Sequence, residues 1–223
     1  DVCIDGDALL TVSITGGSGT ITYQWESSAD GTTWSPIAGA TNSTYDAPTD
    51  VAGTTYYRVV IAAAAGGCES TTSDEAVVTV QEDIAITAQP TDDSICSGGT
   101  SSLSVASSGG AGIISYQWQQ ADNASGPFTD ITGATDAVYN TPNLTSTTYY
   151  QVVISAGASG CDPVTSAVAE VEVIDDLEIT AQPADDEICQ GGTSTLSIAV
   201  TGGSGTVGYQ WQIAASETGP WND

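Results

Sequence analysis

The chain repeats one short stretch three times: TYQWES (22–27), SYQWQQ (115–120) and GYQWQI (208–213). Side chains alternate between the two faces of a β-strand, so Tyr23 and Trp25 share one face and Gln24 lies on the other. A tryptophan in such a strand is a large apolar side chain that suits the space between two packed sheets. We therefore interpret Trp25 and its two counterparts as core residues and not as a platform for a ligand.

A spacing of 93 residues relates many other positions to one another. Cysteines recur at Cys3, Cys96 and Cys189, and TTYYRVVI (54–61) recurs as TTYYQVVI (147–154). The chain thus consists of repeated units, each about as long as one small β-sandwich domain.

The repeat divides the chain into three parts, which are a first repeat lacking its first strand (residues 1–81), a complete second repeat (82–174) and the N-terminal part of a third repeat (175–223). A sandwich interrupted in its core exposes apolar surface to water. We therefore expect the sequence to be a window on a longer tandem array.

Apolar alternation predicts strands at residues 9–15, 21–27, 55–61 and 75–80 of the first repeat, separated by Gly, Asp, Asn, Ser and Pro. The fold class is therefore all-β. About seven short strands per repeat, with a tryptophan on the third, indicate immunoglobulin-like β-sandwich domains arranged end to end in a rod. Val59 occupies the inward site of the sixth strand that antibody domains give to cysteine.

The chain carries 28 Asp and Glu residues against one basic residue, Arg58, for a net charge of −27. Binding of nucleic acid requires Lys and Arg to neutralise phosphates, so nucleic acid is not an expected partner. No stretch has the ~18 apolar residues of a membrane span, so no membrane insertion is expected. Without His or Lys the chain lacks the usual bases that activate a nucleophile, and we predict that it is not an enzyme.

Several motifs together resemble the immunoglobulin-like tandem repeats of giant Bacteroidota cell-surface proteins, such as the SprB-type gliding-motility adhesins. They are ICxGGTxxL, GGSGTxxYQW, IxGAT, TTYYxVVI, GC and TxQP. The resemblance covers essentially the whole chain. It implies export by the type IX pathway, an extracellular location on the bacterial cell surface or in a filament, and a spacer or adhesive role.

The cysteines are expected to form disulfides, as in other exported chains. In the immunoglobulin topology, Cys3 lies at the end of its domain that faces the next domain, and Cys68 at the opposite end. The two ends are ~26 Å apart, whereas a disulfide joins Cα atoms only ~4.4–6.8 Å apart. We therefore favour an inter-domain pair, Cys3–Cys161.

The alternative to that pair is a disulfide within each repeat, Cys3–Cys68 and Cys96–Cys161. On either pairing, the partner of Cys189 lies outside the sequence. A catalytic or metal-binding role for these cysteines is not expected, because the chain has no CxxC motif and no His.

Paired acids flank the segments that link the repeats: Glu82, Asp83, Asp92, Asp93, Asp175, Asp176, Asp185 and Asp186. Calcium takes 6–8 oxygen ligands, and clustered carboxylates between domains can supply them. We favour a solvated acidic linker here, with calcium as the alternative. No other cofactor is expected.

One aromatic position recurs after each Tyr-Gln-Trp motif, as Trp34, Phe128 and Trp221. We favour a side chain that covers the sandwich edge beside the hairpin of the third strand. The alternative is an exposed platform for sugar rings.

These observations favour a structural or adhesive repeat segment that acts as a spacer stalk. Its expected partners are neighbouring repeats of the same chain, and an external surface or polysaccharide bound through regions outside the window. Two alternatives stay open: a glycan-binding immunoglobulin-like module, and spacer domains of a large secreted enzyme.

Overall fold

The computed structural model describes residues 1–64, 69–203 and 205–223 and contains β-strands without a helix in these ranges. Cys68 lies outside the described residues. The first repeat contains eight strands: β1 (Val2–Cys3), β2 (Leu9–Thr11), β3 (Ile21–Ser28), β4 (Ser35–Pro36), β5 (Thr44–Asp46), β6 (Gly53–Ala63), β7 (Thr71–Thr72) and β8 (Ala76–Gln81).

The second repeat contains ten strands: β9 (Ala85–Ala88), β10 (Asp93–Cys96), β11 (Ser102–Ser104), β12 (Ala106–Ser108), β13 (Ile114–Ala121), β14 (Thr129–Asp130), β15 (Val138–Asn140), β16 (Thr148–Ala156), β17 (Val164–Thr165) and β18 (Ala169–Ile174). The third segment, residues 175–223, contains β19 (Glu178–Ala181) and β20 (Ala199–Thr201).

The two repeats share one topology. One sheet has the order β1-β8-β6-β3-β4 in the first repeat and β10-β18-β16-β13-β14 in the second, and the facing pairs are β2-β5 and β11-β15. The first strand of each large sheet runs parallel to its neighbour, and the other described pairings are antiparallel. Each repeat is therefore an immunoglobulin-like sandwich, as the sequence predicts.

The Gln and Trp side chains of the recurrent Tyr-Gln-Trp motif both donate hydrogen bonds to the backbone. The Gln24 amide donates hydrogen bonds to the carbonyl oxygens of Trp25 (2.9 Å) and Ile37 (2.8 Å), which ties the third strand to its hairpin. The Trp25 indole N–H donates to the Asn42 carbonyl at 3.0 Å. The second repeat makes the same three bonds, so the motif fills the core and leaves none of these buried donors unpaired.

Each core contains a column of three aromatic rings. In the second repeat, the ring centroids of Trp118 and Tyr139 lie 5.9 Å apart, and those of Tyr139 and Tyr150 lie 5.7 Å apart. Trp25, Tyr45 and Tyr57 repeat the column in the first repeat at 6.0 and 5.7 Å. The middle ring comes from a three-residue strand that is too short to give a clear periodic signal in the sequence.

Val59 lies opposite Trp25 on the paired strands β3 and β6 and is fully buried. The inward site of the sixth strand is thus filled by an aliphatic side chain, which leaves the cysteines of the chain for another use.

The predicted strand at residues 9–15 is wrong over its second half, because β2 ends at Thr11. In the second repeat the corresponding region continues as β12, which pairs with β9. Among the described residues of the first repeat, no strand pairs with residues 13–15.

The third segment does not enclose its tryptophan. Trp211 is 47% exposed, whereas Trp25 is 3% exposed and Trp118 is fully buried. In the second repeat, β16 pairs with the strand that carries Trp118 and Tyr139 of β15 stacks on its ring, and the described residues of 175–223 form no strand equivalent to either.

Candidate functional site at the junction of the repeats

A disulfide joins the two repeats. Cys3 at the end of β1 bonds to Cys161 in the turn between β16 and β17, with a Cα–Cα distance of 5.0 Å and a sequence separation of 158. This is the inter-domain pair that the sequence analysis favours. The alternative pairs Cys3–Cys68 and Cys96–Cys161 are incompatible with it, because each would need a sulfur that this bond already uses.

Backbone contacts surround the disulfide. The Cys3 N–H donates to the Ser159 carbonyl at 2.8 Å, and the Asp7 N–H donates to the Ser159 hydroxyl at 2.8 Å. A Cβ on Gly6 would collide with the Ser159 carbonyl oxygen, and a Cβ on Gly160 would lie 2.5 Å from the Gly6 nitrogen. The two segments, one around Gly6 and one around Gly160, therefore approach more closely than residues with side chains would allow.

The parallel pairing of β1 with β8 brings Cys3 to the junction. Cys3 lies opposite Gln81, the last residue of β8, so it stands where the chain leaves the first repeat. Cys96 takes the same place in the second repeat, since it lies on β10 opposite Ile174 at the end of β18. The topology thus places a cysteine at the exit of each of these two repeats.

The segment that links two repeats is hydrogen-bonded to a Gly-Gly turn that precedes the Tyr-Gln-Trp motif. This turn is Gly109-Gly110 in the second repeat and Gly202-Gly203 in the third segment. The Gly110 N–H donates to the Glu82 carbonyl at 2.8 Å, and the Gly203 N–H donates to the Asp175 carbonyl at 2.7 Å. The Ala111 N–H donates to the Cys161 sulfur at 3.4 Å. The Gly-Gly turn, the linking segment and the disulfide therefore meet at one junction.

The acidic pairs that flank the linkers do not form a ligand set in this geometry. The Asp92 carboxylate accepts a hydrogen bond from the Glu170 N–H at 2.8 Å, and the Asp93 carboxylate accepts one from the Ser101 hydroxyl at 2.6 Å. Within the described ranges, no group of three or more Asp, Glu, Cys or His side chains is placed to hold a metal ion. Calcium binding at these acidic pairs stays a prediction.

The recurrent aromatic position differs in exposure between the two repeats and the third segment. Trp34 is half-buried, and the Arg58 guanidinium covers its ring with Cζ 4.2 Å from the ring centroid. Arg58 also forms an ion pair with Glu26 at 2.7 Å. Phe128 is half-buried and Trp221 is 56% exposed. One face of Trp34 is therefore occupied by the protein itself.

Residues 1–82 and 85–175 match the sequence model of a family described as "Domain of unknown function (DUF8696)". The chain belongs to this family. A search of curated proteins finds no match to the chain.

Solved structures similar to the DUF8696 repeats contain tandem immunoglobulin domains. The chain is 13% identical to the titin I-band fragment I67-I69, with a TM-score of 0.50, covering 99% of this chain and 81% of that one. Extracellular domains 3–5 of Drosophila OTK give 14% identity, a TM-score of 0.40, and coverage of 91% and 72%. At such identities the likeness to titin shows the fold alone.

A third similar structure is that of the N-terminal four immunoglobulin domains of Dscam1 isoform 7.44, with 17% identity and a TM-score of 0.35. The match covers 77% of this chain and 42% of that one.

No helix in the described part of the DUF8696 chain is long and apolar enough to cross a membrane.

Sequence reasoning missed the backbone contact of Gly6 with Ser159 and Gly160. A signal for it exists, because a Gly-Cys pair recurs 93 residues apart in the sequence, as Gly67-Cys68 and Gly160-Cys161. The signal is weak, since glycine is common in turns for many other reasons.

Proposed function

We propose that these repeats are spacer domains of a long bacterial surface adhesin or filament, exported by the type IX pathway, which hold a distal binding region away from the cell. The observation that carries the proposal is the disulfide between successive sandwiches, Cys3–Cys161. An extended stalk requires each domain to be fixed to the next, and a covalent bond beside two short hydrogen bonds to Ser159, one to its carbonyl and one to its hydroxyl, restricts the junction.

Charge and compartment support the same proposal. The net charge of −27 makes neighbouring stalks repel one another and opposes lateral aggregation. A disulfide persists in the oxidising environment outside the cell, whereas cytosolic thiols are kept reduced. The resemblance of the repeat motifs to SprB-type adhesins supports the bacterial surface location, and the lack of His and Lys supports a non-enzymatic role.

A deletion in the parent protein on its own cell tests the spacer role. Removing the 93 residues of one repeat should shorten the surface structure by the length of one domain, seen by electron microscopy, and leave binding by the distal region intact. A shortened protein that has lost surface binding would contradict a pure spacer. Saturable binding of a polysaccharide by residues 1–223, abolished by Trp34→Ala, would instead favour the glycan-binding alternative.

A further inference from the structure

The position of the disulfide along the chain determines which residues tension can reach. Cys3 is the third residue and Cys161 follows it by 158 positions, so the bond closes a loop that contains most of both hydrophobic cores. The shortest covalent path from Asp1 to Asp223 runs through residues 1–3, crosses the sulfur–sulfur bond, and continues through residues 161–223. Residues 4–160 are not on that path.

The disulfide permits almost no further separation of Cys3 and Cys161. The Cα atoms of Cys3 and Cys161 are already 5.0 Å apart in the folded chain, within the normal span of a disulfide. Pulling on the chain ends therefore loads the covalent bond before any strand between Cys3 and Cys161 has to move. Hydrogen bonds in the sheets of the loop carry no share of a force that a covalent link already transmits.

The loaded path still contains β1 before the disulfide, and β17, β18, β19 and β20 after it. After Cys161 the chain forms β17 and then β18, which pairs in parallel with β10 and antiparallel with β16. Four residues of β10, Asp93–Cys96, are aligned with β18, so a pull along β18 loads these pairings together and not one after another. Within the second repeat, β18 is therefore the longest strand that this load reaches directly.

We propose that Cys3–Cys161 is a tension-bearing latch: while it is oxidised, load passes from one repeat to the next without crossing residues 4–160, so that load cannot extend this segment. The biological use of the latch rests on the proposed spacer function, although the mechanical property belongs to this chain alone. Cys96 takes the place of Cys3 in the second repeat, so the arrangement is repeatable at intervals of 93 residues.

Single-molecule force spectroscopy of residues 1–223, held at both ends, tests the latch. The reference variant is Cys68→Ser/Cys96→Ser/Cys189→Ser, which retains only Cys3 and Cys161. Dithiothreitol reduces the bond: two electrons and two protons pass to the cysteines, which become thiols, and the reductant closes to a cyclic disulfide. Reduction should lengthen the fully stretched chain by roughly 550 Å, at ~3.3–3.6 Å per released residue.

The control adds Cys161→Ser to that reference variant. It should show the full stretched length with or without reductant, and the oxidised reference should show no extension step from the first repeat. An oxidised reference as long as the control would overturn the latch and leave the spacer proposal standing. Conversely, a latch seen here alongside a deletion that fails to shorten the surface structure would reject the spacer role alone.

Discussion

Gly6 of the first repeat lies against Ser159 of the second, so closely that a Cβ on Gly6 would overlap the Ser159 carbonyl oxygen. The amides of Cys3 and Asp7 on either side of Gly6 both donate to Ser159. Three residues of one sandwich, Cys3, Gly6 and Asp7, thus lie along the turn of the next, and the disulfide closes one end of that contact. The predictions below begin with this contact.

Gly6→Ala should open the junction while leaving each sandwich folded. The added methyl group has no room, and overpacking of this kind costs ~1–3 kcal/mol. We expect faster hydrogen exchange at the Cys3 and Asp7 amides, measured by NMR. Gly157→Ala, in the turn of the second repeat that carries Ser159, is the matched control. Its Cβ would meet only ordinary contacts, the nearest at 3.6 Å. Unchanged exchange in Gly6→Ala would mean that the contact is absent in solution.

Removing the disulfide with Cys3→Ser/Cys161→Ser should lower the free energy of unfolding by about 2–5 kcal/mol, because the cross-link restricts a long loop of the unfolded chain. Urea titration followed by tryptophan fluorescence measures the change. Cys189→Ser is the control, since Cys189 is exposed in the third segment and should have little effect. Equal loss in the control and the double variant would count against the bond.

Tyr150→Phe should leave stability at neutral pH unchanged or slightly increased. The Tyr150 side chain is fully buried and its hydroxyl has no hydrogen-bond partner among the described residues, so phenylalanine removes an unpaired polar atom without removing the ring. Tyr150→Ala should instead cost ~3–5 kcal/mol, as for other large-to-small changes in cores. A large loss in Tyr150→Phe, seen by urea titration, would show that the hydroxyl is bonded.

Alkaline pH should also destabilise the second repeat through Tyr150. Burial raises the pKa of this phenol to about 12 in the folded chain, against a usual value of 10.0. A pKa raised on folding contributes stability that is present below pH 10 and is lost as the pH rises toward 12. The midpoint temperature of thermal unfolding should therefore fall less steeply with pH in Tyr150→Phe than in the unaltered chain. Equal slopes would contradict the assignment.

Asp30 should make the first repeat sensitive to acid. The N–H groups of Thr33 and Thr32 and the Ser28 hydroxyl donate to its carboxylate and hold its pKa well below the usual 3.8. This contribution is present above pH 3.8 and is lost as the pH falls through the lowered value. Asp30→Asn removes the titrating carboxyl and gives this position the residue type of the equivalent Asn123 in the second repeat. Carboxyl NMR of the unaltered chain measures the pKa directly. Titration near 3.8 would contradict the assignment.

The sequence was informative where one residue has one physical role. Trp25 needs an interior, and Val59 at the inward site excluded the usual buried disulfide, so the repeat spacing and the domain topology together indicated Cys161 as the partner of Cys3. Arg58 over Trp34 was not predictable, because the two residues meet only once β4 and β6 have paired with the two sides of β3.

The acidic pairs show why the rest could not be read from composition. Asp92 and Asp93 look like candidate ligands in the sequence, yet in the fold their oxygens accept hydrogen bonds from Glu170 and Ser101. A carboxylate's partners depend on which strands become neighbours, and the parallel pairing of β10 with β18 has no local signal in the chain. The same pairing brings Cys96 to the exit of its repeat.

The pairing of the cysteines tests the account most directly. Digestion of the unreduced chain with a protease that cuts at acidic residues, followed by mass spectrometry, identifies each disulfide-linked peptide pair. We predict a peptide containing Cys3 linked to a peptide containing Cys161. A peptide pair that links Cys3 to Cys68 would contradict both the covalent junction and the latch.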